Sequence, residues 1–170
     1  MSMSTDPTPS RSSATPTELD GKLVVGWKEW VSLPDLGVPR LMAKFDTGAR
    51  SSALHVPRAQ VIEIDGRAHV NFDLDTDAPD AGGLLRHTAP LLDLRRVKSS
   101  SGHAEQRLTI HTTLSFAGLQ WQIELTLTDR SDMKLPMLVG RSAMHSRLII
   151  DPSRSFLAGR RVRKPSQKSR

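Results

Sequence analysis

The chain contains no cysteine. That excludes disulfides, thiolate metal sites and a cysteine nucleophile. No apolar run is long enough to span a bilayer, and the Ser/Thr/Pro-rich start lacks the apolar segment of a secretory signal. A cytoplasmic protein with no membrane partner is therefore expected. Aromatic residues make up only 4% of the chain and are poorly interleaved with basic ones, which argues against a base-stacking surface. Neither Gly-x-x-x-x-Gly-Lys-Ser/Thr nor His-Glu-x-x-His occurs, so the signatures of a P-loop and of a zinc-protease helix are both absent. The six histidines are scattered with no close pair. His55, His103 and His111 read as surface or satisfied side chains rather than ligands. No internal repeat and no long amphipathic helix stands out.

Charge is present, and its location matters. The net charge is +6, but residues 154–170 hold seven Lys/Arg and no acid; without those seven, 17 basic residues face 18 acidic ones. The fold itself is thus expected to be nearly neutral, with the basicity in a solvated tail and no specific nucleic-acid partner. A length of 170 residues fits one domain with tails. The expected organisation is a disordered leader over 1–20, one domain over 21–158 and a basic disordered tail over 159–170. The acidic run Asp73, Asp75, Asp77, Asp80 reads as a solvated loop, since it lacks the Gly and terminal Glu of a calcium-binding loop.

From residue 22 onward, short apolar segments alternate with period two and are separated by turn residues, which predicts an all-β fold. Expected strands are 23–31, 40–45, 91–97, 136–140 and 148–150. Residues 61–64 and 67–74 form a hairpin about Asp65-Gly66, a pair suited to a type I′ turn. A second hairpin joins 107–116 to 119–128 through Ala117-Gly118. Residues 34–37, 75–83 and 99–102 read as turns or loops, and 142–146 as one helical turn. So many short strands with non-local pairing favour a closed barrel over an open sheet.

The chemistry-bearing motif is Asp46-Thr47-Gly48-Ala49, entered from the apolar run 41–45. Its partner comes roughly a hundred residues later, as Met137-Leu138-Val139-Gly140-Arg141. Together these resemble the two-part signature of retropepsins, the aspartic peptidases that include the retroviral proteases. The match is closer to a bacterial retropepsin-like group often labelled ATP-dependent zinc proteases. That likeness rests on residues 26–31, 43–55, 125–130, 137–144 and 151–152, in order, and covers about 22–157.

The resemblance implies a closed six-stranded acid-protease barrel with a short helix after the Gly-Arg element. It implies that Asp46 is the catalytic carboxylate, that the Thr47 hydroxyl braces the loop against a partner copy, and that Gly48 lets backbone approach substrate. Ala49 closes the loop, Gly140 supports it from behind, and Arg50 and Arg141 serve substrate binding or loop support. Peptide hydrolysis without a metal or a covalent nucleophile needs one group to deprotonate water and another to protonate the carbonyl or the leaving amine. Two carboxyls sharing a proton do both, and one chain supplies only Asp46. The implied enzyme is thus a homodimeric aspartic endopeptidase acting on a peptide or protein, with no cofactor and no metal, and with a flap drawn from 61–102. A non-proteolytic binding or adaptor protein of the same fold, and a zinc hydrolase as the group label suggests, are the alternatives. One departure stands out. The residue after Asp-Thr-Gly-Ala is an acid in the retroviral enzymes and is Arg50 here, so Arg141 is expected to find another acid, Asp151 or Glu105.

Overall fold

The computed structural model describes residues 17–75, 84–98, 102–131 and 134–158. Most of the leader, the tail, and most of the expected 75–83 loop and 99–102 turn lie outside the described residues. The strands are β1 (Glu18–Leu19), β2 (Lys22–Gly26), β3 (Lys28–Leu33), β4 (Val38–Phe45), β5 (Ser52–His55), β6 (Arg58–Ile64), β7 (Arg67–Asp75), β8 (Leu84–Pro90), β9 (Asp93–Lys98), β10 (Ala104–Phe116), β11 (Leu119–Thr128), β12 (Met137–Val139) and β13 (Leu148–Asp151). A single helical turn, α1 (Arg141–Met144), follows β12. Among the described residues, no helix is long and apolar enough to cross a membrane.

The class is all-β, as the period-two pattern requires. Both expected hairpins form about turns whose two central residues have positive φ, Asp65-Gly66 (50°, 72°) and Ala117-Gly118 (52°, 80°). That is the type I′ geometry whose twist matches the strands it joins. In the largest sheet the neighbours run β11-β5-β12-β4-β3-β10-β9, and β10 also pairs with β11, so six strands follow one another in a closed ring. Strands β6-β7-β8 form a second sheet, and β1-β2-β13 a third. All three contribute to one buried cluster, from Val25 and Leu33 through Phe72 and Leu74 to Ile110, Leu114 and Met137.

Several boundaries differ from the sequence reading. Glu18 and Leu19, expected in the leader, pair with β2. Strands β5 and β8 were not anticipated, β6 begins at Arg58 and β9 at Asp93. The expected strand over 23–31 is two strands in two sheets, broken at Trp27. Local geometry shows why. A Cβ on Gly26 would stand 2.6 Å from the Arg154 carbonyl oxygen, so only glycine lets the segment 154–158 cross here. Trp27 N donates to Arg154 O, and Phe156 N donates to Lys28 O.

Glu29, fully buried, locks this crossing. Its Oε1 accepts from Gly26 N and Leu157 N, each at 2.7 Å, and from Ala158 N at 3.3 Å. A buried carboxylate is tolerated because charge-assisted bonds to backbone amides replace water. Glu29→Ala would orphan three amides and is expected to cost about 3 kcal/mol or more. Glu63→Ala, on the exposed face of β6, should stay within about 0.5 kcal/mol. Urea unfolding of both variants checks this.

Candidate active site

Asp46 stands where β4 runs out into a loop that returns as β5. Strand β12 comes from the far end of the sequence and lies between these two, parallel to β4 and antiparallel to β5. Its pairing extends one residue past β4, because Asp46 N donates to Val139 O at 2.9 Å. Phe45, buried beside Phe116 with ring centroids 5.1 Å apart, anchors the residue before.

Past β12 the chain turns into α1 directly beneath the loop. A Cβ on Gly140 would meet Ser51 O at 2.5 Å and Arg50 O at 2.8 Å, so this contact exists only because residue 140 has no side chain. The first groups of α1 then donate upward. Arg141 N reaches Ala49 O at 2.8 Å, and Ser142 N and Oγ reach Arg50 O at 3.0 and 2.9 Å. Gly140 N donates to Ser52 Oγ, and Thr126 Oγ1 donates to Ser52 O, fixing the loop's far end. Trp121 Nε1 on Ala143 O holds α1 to β11. The loop is therefore fastened mainly through its backbone, which leaves its side chains free to face outward.

The structure brings together Asp46, Thr47, Gly48, Ala49, Arg50, Gly140 and Arg141. Asp46 is partly buried and Gly48 exposed, with Gly48 N on Asp46 Oδ1 at 2.9 Å. Ala49 N closes the turn on Asp46 O. Thr47 is exposed, and its engaged atom is the carbonyl. The expected acid partner for Arg141 is not found. Its Nη1 donates to Thr47 O at 2.9 Å instead. Asp151 is taken by Ser153 and Arg154, and Glu105 by Arg107. A carbonyl dipole thus replaces the carboxylate that Arg50 displaces from the motif.

One site residue went unnoticed in the sequence. Lys44 Nζ lies 3.0 Å from Asp46 Oδ2. The signal was available, since residues two apart on a strand share a face. The Lys44 ammonium first, and the Gly48 amide after it, hold Asp46 below the usual carboxylate range, against its partial burial. Stability from such a depressed group is present above its unfolded pKa and is lost as pH falls through the folded one.

Asp46, Gly48 and Ala49 open into a cleft of about 1480 Å³. Among the described residues nine Lys/Arg line it, including Arg50, Arg95, Arg96, Lys98 and Arg107, against two acids, Asp46 and Glu124. The balance is neutral in sum, but the positive charge is gathered around Asp46. Arg95 is hydrogen-bonded to Glu124 and keeps that carboxyl below its usual range.

Zinc, which the group label implies, needs at least three donors in one place. Among the described residues no three His, Cys, Asp or Glu side chains form such a group. His55 Nδ1 is occupied by Arg130 N at 3.0 Å. The described residues do not fit the metal.

A strand-borne Asp-Thr-Gly seated on a Gly-Arg turn in an all-β fold defines a retropepsin-like protein. The chain belongs to the RimB-like family, described as retropepsin-like aspartic endopeptidase RimB, whose family model matches residues 24–161. It is 38% identical over 140 residues to a probable alpha-L-glutamate ligase of Shewanella pealeana, covering 82% of this chain and 31% of that protein. It is 41% identical over 132 residues to one of Desulfotalea psychrophila, covering 78% and 28% respectively. The chain thus spans less than a third of the length of these relatives. A crystal structure of a Legionella pneumophila protein of unknown function is similar at TM-score 0.66 and 26% identity, covering 79% of this chain and 97% of that one.

Gly140→Ala should separate α1 from the loop and lower stability by about 1–3 kcal/mol. Amide shifts of residues 46–52 should move while those of the Asp65-Gly66 hairpin stay, as two-dimensional NMR would show.

Proposed function

We propose that this chain is an aspartic-type endopeptidase whose dyad forms from Asp46 of two copies, and that it cleaves acid-rich peptide segments. The observation that carries the reading is the position of Asp46, held by its backbone in the lining of a cleft with nine basic residues among those described. The closed ring of six strands supports the acid-protease barrel that this reading assumes. Two Asp46 carboxyls across a two-fold axis would share one proton, because two adjacent like charges cannot both ionise. One then accepts a proton from water and the other donates to the carbonyl oxygen. The basic walls favour a polyanionic chain and focus it toward the site. The relatives' name supports the same direction: a glutamate ligase adds acidic residues, and a peptidase selective for acidic segments would remove them.

A second reading follows from the same basic lining. A domain that only holds an acidic chain, without cutting it, would serve a ligase equally well. Asp46→Asn separates the two. Under the peptidase reading, kcat/KM falls by about a thousandfold or more, while circular dichroism and peptide affinity are retained. Cleavage of a glutamate-rich peptide should exceed that of its glutamine counterpart, and the preference should shrink as salt rises. Peptidase activity carried by a strictly monomeric species, shown by light scattering, would overturn the shared dyad.

A further inference from the structure

Both oxygens of the Asp46 carboxylate are engaged, but by groups of different kinds. Oδ1 accepts from the Gly48 amide, a backbone group set by the loop. Oδ2 faces the Lys44 ammonium, which rides on a four-carbon stem with rotatable donors. Lys44 and Asp46 lie on one side of the end of β4, with Phe45 buried on the other. Both line the cleft, and the Lys44 side chain is 47% exposed. A group entering the cleft can therefore meet the ammonium without displacing any protein element.

The neighbouring charges make this ammonium easy to move. Lys28 of β3 stands directly opposite Lys44 in the strand register, a like-charge pair that disfavours both. On the other side β12 presents Leu138, which carries no charge. From the loop, Arg50 adds a further positive charge to the cleft. The cleft's other acid, Glu124, is held by Arg95. Among the described residues, Asp46 is the acid that Lys44 pairs with.

The pair opposes the chemistry proposed above. A dyad needs one proton between two carboxyls, whereas an ammonium on Oδ2 favours the proton-free form of Asp46. The geometry points to Lys44 as a substrate-operated latch: its ammonium holds Asp46 in the resting site and passes to an acidic side chain of the bound substrate, which frees Asp46 for the dyad. This inference rests on the peptidase reading. Once freed, one Asp46 takes a proton from water as the water oxygen bonds to the scissile carbonyl carbon. The other, protonated, gives its proton to the carbonyl oxygen. When the C–N bond breaks, the first returns its proton to the amine nitrogen and the second recovers one from the hydroxyl. One water is consumed and the dyad keeps a single proton. Lys44 is a positioning residue in this scheme, acting through Asp46.

Steady-state kinetics on a glutamate-rich peptide and its glutamine-substituted counterpart test the latch. Lys44→Met should raise kcat on the glutamine peptide roughly fivefold, the worth of a part-exposed ion pair at the top of its usual range. The preference for glutamate should fall accordingly. The acidic limb of the pH–rate profile should move to higher pH, because Asp46 loses its cation. Lys44→Arg should keep the wild-type pattern. A raised KM for the glutamate peptide, with kcat on the glutamine peptide unchanged, would make Lys44 a binding residue and overturn the latch. Equal losses on both peptides with the acidic limb unmoved would overturn it too. If Asp46→Asn is inactive while Lys44→Met matches wild type, the latch alone fails. If Asp46→Asn cleaves normally, the peptidase reading fails and takes the latch with it.

Discussion

The absence of a side chain at Gly140 is the constraint on which the site depends. Two stretches of backbone, at residues 50–51 and at residue 140, approach more closely than any Cβ allows. That approach brings the first amides of α1 within reach of the loop carbonyls, and the loop is then held from below by Arg141 and Ser142. Backbone fastening has a chemical benefit. Most of the bonds that seat the loop on α1 use its carbonyl oxygens, so the Thr47 and Arg50 side chains are left exposed. Asp46 is aimed by strand pairing as well, through Val139, so its direction does not rely on loop packing.

Much of this arrangement was legible in the residues. The hairpins at Asp65-Gly66 and Ala117-Gly118 could be read because their turn chemistry is local. The pairing of Asp46-Thr47-Gly48 with Gly140-Arg141 could be read only because two separated motifs occurred together. What escaped was set by distant partners. The break at Gly26–Trp27 depends on a segment more than a hundred residues away crossing over Gly26, and Glu29 looks like a solvated strand residue until that segment arrives. Strand β5 is four residues long and takes its identity from β11 and β12 on either side. Arg141 needs no carboxylate because the nearby Thr47 carbonyl oxygen accepts from its guanidinium, a contact that no local pattern announces.

Net charge was the least informative guide to the site. A sum near zero over the fold concealed an uneven distribution, because the strands that carry Arg95, Arg96, Lys98 and Arg107 sit across from the loop that carries Asp46. The pairing of β9 with β10 brings these separate stretches into one lining. A carboxylate among so many cations is stabilised in its ionised form, which makes its proton supply the central chemical question. Among the described residues Lys44, two positions before Asp46, is the cation in direct contact with it.

The threading of β12 between β4 and β5 also orders events in time. A chain emerging from the ribosome presents Asp46-Thr47-Gly48 early, yet the strand that fills the gap beside it and the turn that seats it come about ninety residues later. Such non-local closure is slow relative to hairpin formation. Until the last third of the fold has been made, the carboxylate sits on an unsupported loop with no cleft around it. Topology thus delays assembly of the site until β12 and α1 have been made, and a nascent chain cut short of them would carry the motif without its seat.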